Sequence, residues 1–141
     1  MSVRSGDREE GKLQVLNDSM ELCRYTLTIC RNEKIFPKSQ RWMLTQKIVN
    51  TVLDVVACIR EANATSLTTG ENADIEYRYR RSKQIEAHAL LNSLMTLITV
   101  AYEMMNVDGR RVQHWTELVV NTDRRLKAWM KSDKERYEKK S

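Results

Sequence analysis

Between Leu44 and Ala62 the apolar residues Leu44, Ile48, Val52, Val55, Ile59 and Ala62 recur at steps of 4, 4, 3, 4 and 3. That rhythm is close to the 3.6-residue period of one helix face. A stripe of this kind has to be buried against other helices. The chain supplies three more. Leu13, Leu16, Met20, Cys23, Leu27 and Cys30 precede it, while Ala87, Leu91, Leu94, Ile98, Ala101 and Met105, and then Val112, Trp115, Val119, Thr122, Leu126 and Trp129, follow.

With 4 Gly and 1 Pro in 141 residues, chain breakers are too sparse for a sandwich or barrel, which needs a turn about every 8 to 12 residues. The expected fold is all-α, a single antiparallel up-down-up-down four-helix bundle with short loops. Its first helix is predicted from Lys12 to just before Asn32. The second starts at Pro37, where a missing N–H is harmless and Ser39 is placed to accept an orphan donor, and runs through Ala62 towards Thr65. The third starts at Asn72 or Asp74 and stops at Val107-Asp108-Gly109, and the fourth starts near Arg110. An acidic flexible leader over 1–11 and a frayed charged tail over 135–141 flank a bundle over 12–134. The third helix, at more than 30 residues or roughly 45 Å, is expected to overhang the bundle and to carry Arg78, Arg80 and Arg81 there. A second apolar set, Val49, Leu53, Val56, Leu90, Leu97, Val100 and Leu118, is either a wide core face or a seam between subunits.

Nothing in the pattern suggests an enzyme. Bundles that hold two metals use Glu-x-x-His pairs, whereas His88 follows Glu86 by two and His114 follows Arg111 by three. Cys23 and Cys30 lie two turns apart, roughly 10 Å, too far to share one ion with Cys58 and His88. Three cysteines cannot all pair within one chain, so buried free thiols are expected. Gly-rich phosphate loops and nucleophile elbows are missing, and no catalytic residue, metal or cofactor is expected. No uninterrupted apolar run reaches about 18 residues and the first twelve residues lack an apolar core, which points to a cytoplasmic protein with no membrane partner.

Charge points to a partner. Of a formal net +5, the first 22 residues carry three cations against five acids, leaving the remainder at +7. A basic folded part suits a polyanion. The run Tyr77-Arg78-Tyr79-Arg80-Arg81-Ser82-Lys83 sets four cations and two aromatics together without an acid. Arginine forks grip phosphates and tyrosines stack on unpaired bases. Arg78, Arg80, Arg81 and Lys83 are therefore candidate nucleic-acid contacts, with Tyr77 and Tyr79 as stacking candidates. A solvated helix start is the alternative. Lys38, Arg41 and Lys47, then Arg110 and Arg111, and Arg124, Arg125 and Lys127 form weaker cationic patches.

The FPKSQR turn at Phe36 to Arg41, the REANA close at Arg60 to Ala64, the WTELV segment at Trp115 to Val119 and the AWMKSD segment at Ala128 to Asp133 resemble a known family. It is that of the four-helix-bundle accessory variability determinants of diversity-generating retroelements, relatives of the bundles encoded in ribosomal RNA intervening sequences. The likeness spans about Leu22 to Tyr137. It implies a basic homopentamer that binds the retroelement's reverse transcriptase and its template RNA, with complementary DNA as a further nucleic-acid partner, during mutagenic reverse transcription and retrohoming. On the matched positions, Phe36 and Pro37 set the interhelical turn, Lys38 and Arg41 present charge at one end of the assembly, and Trp115 and Trp129 hold the last helix. The alternatives are an oligomeric protein-protein adaptor without nucleic-acid binding and an intervening-sequence bundle of unclear role.

Overall fold

A computed structural model of the chain describes the backbone of residues 5–140 and the side chains of residues 11–139. It is all-helical: α1 (Ser5–Arg31), α2 (Gln46–Ala64), α3 (Ala73–Met104) and α4 (Gly109–Lys140), with no strand among the described residues. A 3-10 turn (Lys38–Gln40) and a π-helical turn (Arg41–Thr45) lead into α2. Helix α1 packs on α2 and α4, and α3 packs on the same two helices, which closes a four-helix bundle around one core.

Three of the four predicted seams are the ones buried. Ile48, Val52, Val55, Ile59 and Ala62 of α2, Ala87, Leu91, Leu94, Ile98 and Ala101 of α3, and Trp115, Val119, Thr122, Leu126 and Trp129 of α4 all lie inside. Burying each such Leu, Ile or Val contributes about 1.5–3 kcal/mol relative to leaving it in water. The seam of α1 is different. Of its predicted members Leu16 and Cys30 are buried, but Leu13 and Met20 are exposed, and Val15, Ser19, Leu22, Thr26 and Ile29 face the core in their stead. The two hydroxyls tolerate burial because each donates to its own helix, Ser19 Oγ to the Leu16 carbonyl at 2.7 Å and Thr26 Oγ1 to the Leu22 carbonyl at 2.8 Å.

Helix ends also depart from expectation. Helix α1 begins at Ser5 rather than Lys12, so residues 5–11 of the expected leader are helical. Residues 1–4 of that leader and Ser141 of the tail lie outside the described residues. Ser39 caps nothing: the 3-10 turn follows Pro37, at φ −61° and ψ 151°, without a side-chain cap. Helix α3 stops at Met104, and Asp108 instead starts α4, its Oδ1 accepting from the Arg111 N–H at 2.9 Å. That bond is the main reason its carboxyl is held below the ordinary range, and Asp at this position is a favoured helix cap. The tail stays helical to Lys140, with Tyr137 stacked on Tyr77 at 4.0 Å between ring centroids and 4° between planes. The start of α3 therefore has α4 beside it and does not overhang.

The second apolar set divides. Val49, Leu90, Leu97 and Leu118 are half-buried against the core, while Leu53 and Val100 stay exposed. The stretches Lys38–Ala64 and Ala73–Met104 are long and apolar enough on average to cross a membrane, by length and composition only. Occasional polar residues do not spoil that average, and in the fold their seams are spent on the core.

All three cysteines are free, Cys30 and Cys58 buried and Cys23 half-buried. Burial pushes the Cys30 thiol up to about 12, and burial followed by the Glu86 carboxylate pushes Cys58 up to about 11. In Ellman titration at pH 8, Cys23 is expected to react first, with Cys30 and Cys58 waiting for unfolding. The fold keeps these protons where the unfolded chain loses them near the ordinary thiol value of 9.0, so their linkage lowers stability as pH rises past that point. Prompt reaction of all three thiols in the folded protein would contradict this packing.

Candidate nucleic-acid interface

The strongest predicted cluster is largely occupied by the fold itself. Arg80 is buried at 4% exposure. Its Nε and Nη2 donate to the two carboxylate oxygens of Asp133 at 2.7 and 2.8 Å, and its Nη1 donates to the Thr65 carbonyl at 3.0 Å. The guanidinium lies over the Trp129 ring, 4.9 Å from its centroid, and Gln84 Nε2 adds a third bond to Asp133 at 2.9 Å. Arg80 thus ties α3 to α4 and to the end of α2, and it leaves the set of candidate nucleic-acid contacts. The reason is positional. Arg80 falls four residues before Gln84 and seven before Ala87, so it continues the buried seam one more turn.

Its neighbours are partly engaged too. Arg81 Nη1 donates to the Met130 carbonyl at 2.7 Å. Lys83 Nζ sits 3.0 Å from Glu61 and 3.4 Å from Glu86, and the Glu61 bond first of all pushes its pKa up. Tyr77 gives one face to Tyr137, whose hydroxyl donates to Asp74. Tyr79 remains exposed with the Lys83 ammonium 5.9 Å from its ring centroid. Only Arg78 of this run is exposed with no ion pair among the described residues.

Most of the candidate cations of α4 have partners nearby, although Arg111, Arg124 and Lys127 stay exposed and only Arg125 is half-buried. Arg125 Nη1 donates to both oxygens of Asp18 at 2.9 and 2.8 Å, joining α4 to α1. Lys127 lies 3.5 Å from Asp123, whose other oxygen meets His88 Nδ1 at 2.6 Å. Arg124 donates to Asn121 at 3.2 Å, and Arg111 pairs with Asp108 at the start of α4. Arg110 is exposed and free of an ion pair among the described residues. Among the described residues, no group of three or more His, Cys, Asp or Glu side chains is gathered as a metal site would require.

What stays open is the connection between α1 and α2. Residues 31–47 hold five cations, Arg31, Lys34, Lys38, Arg41 and Lys47, against the single acid Glu33. All six are exposed. Lys38 reaches Glu33 at 3.5 Å with both groups well solvated, a contact worth little in water. Between Arg41 and Met43 stands Trp42, 81% exposed, which charge counting alone passes over. A signal for it was present. Trp42 precedes Leu44 by two residues, about 200° around a helix from the buried stripe. Comparison with protein-family models and with curated protein sequences finds no match for this chain.

Proposed function

We propose that this chain is a non-catalytic, nucleic-acid-binding accessory bundle, working in the cytoplasm with a reverse transcriptase and its template RNA as the accessory proteins of diversity-generating retroelements do. The observation that carries the nucleic-acid part is the five-to-one cationic excess left solvated over residues 31–47. Arg78 and Arg110 add free charge elsewhere. The retroelement part rests on the resemblance of the FPKSQR, REANA, WTELV and AWMKSD segments.

In this reading the bundle is antiparallel and assembles as a homopentamer. Contacts between sequence-distant positions support the antiparallel order. Asn63 near the end of α2 bonds the Lys12 carbonyl of α1, Arg80 and His88 of α3 meet Asp133 and Asp123 of α4 in reverse sequence order, and Tyr25 of α1 bonds the Arg111 carbonyl while Asp18 meets Arg125. The exposed Leu53 and Val100 give the subunits apolar surface to share. Several copies of a weakly cationic surface then act by avidity on one long polyanion.

Light scattering tests the assembly and its RNA binding together. The free protein is expected at about five times 16.6 kDa, gaining the mass of an added structured RNA at low salt and losing it at high salt. Each phosphate neutralised contributes about −0.7 to the slope of log K against log salt on single strands. A flat salt response would sink the nucleic-acid reading. A monomer indifferent to RNA would favour the adaptor or the intervening-sequence bundle instead.

A further inference from the structure

Trp42 and Met43 are 81% and 77% exposed, within a turn wound i to i+5 in which the Gln46 N–H donates to the Arg41 carbonyl. Such π turns are rare and often mark functional positions. Beside them lies an open groove of about 650 Å³ with an apolar floor that includes Leu27, Phe36 and Val49 and a rim carrying Arg31, Lys38 and Arg41 with the single acid Glu33.

We infer that this groove receives an unpaired stretch of nucleic acid, with Trp42 stacking on a base and Arg31, Lys38 and Arg41 holding the flanking phosphates. The inference rests on the nucleic-acid reading above and gives it a place and a substrate form. Three observations carry it. The ring of Trp42 stands almost wholly in solvent, so it is free to stack on a base at little cost in protein contacts. The cations sit beside the ring, as required when a backbone and its bases are held together. The charge also argues against a second copy of this chain as occupant. A two-fold contact of the groove with itself would bring Arg31, Lys38 and Arg41 onto the same three cations, with only Glu33 on each side to offset them. Every base offers a π face, so the site discriminates single from double strands rather than one sequence from another.

Trp42→Ala, Trp42→Phe and Arg41→Glu, each checked for an unchanged melting curve, would be titrated at low salt against an unstructured 15-nucleotide RNA and a duplex of equal length. Trp42→Ala is expected to weaken the single strand about 5- to 150-fold, with Trp42→Phe retaining most of the affinity and duplex binding little changed. Arg41→Glu should weaken both. In the wild type, Trp42 is also the exposed emitter beside two buried tryptophans, Trp115 and Trp129. Its red-shifted emission should be quenched by the single strand, and the Trp42→Ala protein should lose that signal. Wild-type affinity in Trp42→Ala, with salt-sensitive RNA binding intact, overturns the groove proposal and leaves the wider reading standing. No RNA binding by the wild type overturns both. A change in oligomer mass in Trp42→Ala without a change in affinity identifies the groove as a protein contact and also overturns the proposal.

Discussion

Asp133→Ala is expected to destabilise the bundle by about 3–5 kcal/mol, because it strands the Arg80 guanidinium inside the protein without its counter-charge. Arg80 and Asp133 side chains are each 5% exposed, so water is poorly placed to replace the missing carboxylate. Domains of this size are stable by roughly 5–15 kcal/mol, which makes that loss a large part of the whole. At about 2–4 °C per kcal/mol for a chain of this length, a melting temperature lower by about 6–20 °C should be seen. The pair itself is not expected to be the source of that stability. Replacing both partners together, Arg80→Met with Asp133→Leu, should recover part of the loss, since paired buried charges roughly break even against apolar residues of similar volume, while Gln84 Nε2 and the Thr65 carbonyl lose their partners. A double-mutant cycle separates the two cases. An Asp133→Ala protein that melts with the wild type would mean that Arg80 reaches solvent and is again a candidate RNA contact. The same geometry bears on charge reversal across Arg78, Arg80 and Arg81. From the sequence alone such a triple Glu variant should weaken RNA binding with unfolding nearly unchanged. In the fold, Arg80→Glu sets a carboxylate against Asp133, and the variant would unfold before it reported on RNA.

The four helices and three of their seams are legible in the sequence because Leu, Ile, Val and Ala at 3- and 4-residue steps have only one economical use. The fourth seam is not, since Ser19 and Thr26 are polar by type and become compatible with the core only by bonding carbonyls of their own helix. An apolar count therefore selects Leu13 and Met20 and rotates α1 by about one position. The same blindness affects the charged cluster. Arginine in an YRYRR run reads as surface until Asp133, 53 residues away, is known to lie opposite it. Local pattern shows that Arg80 continues the α3 seam, but not that a carboxylate on α4 waits at that level. At the α1–α2 connection, by contrast, the cationic excess and the outward placement of Trp42 are both present in sequence order, because a short connection keeps neighbours in sequence neighbours in space.

Trp115 links that connection to the core, and its removal gives the other large expected effect. The indole is fully buried, its Nε1 donates to Thr26 Oγ1 at 2.9 Å, and Phe36 meets it edge to face with centroids 6.5 Å apart. Trp115→Ala should cost about 3–5 kcal/mol through lost burial and the cavity left behind. Thr26→Val is the matched control: it keeps the volume but leaves the indole N–H buried without an acceptor, at about 1–3 kcal/mol. Denaturant midpoints for the two variants would divide packing from hydrogen bonding at this site. If Thr26→Val costs as much as Trp115→Ala, the ring is held chiefly by its hydrogen bond and the core around it is loosely packed. The two should also differ in reach. Phe36 lines the groove beside Trp42, so the cavity in Trp115→Ala removes its support and should weaken single-stranded RNA binding even where the protein remains folded. Thr26→Val leaves the ring in place under Phe36 and should bind RNA like the wild type. Equal RNA affinity in the two variants, both folded, would show that the groove keeps its shape without Trp115.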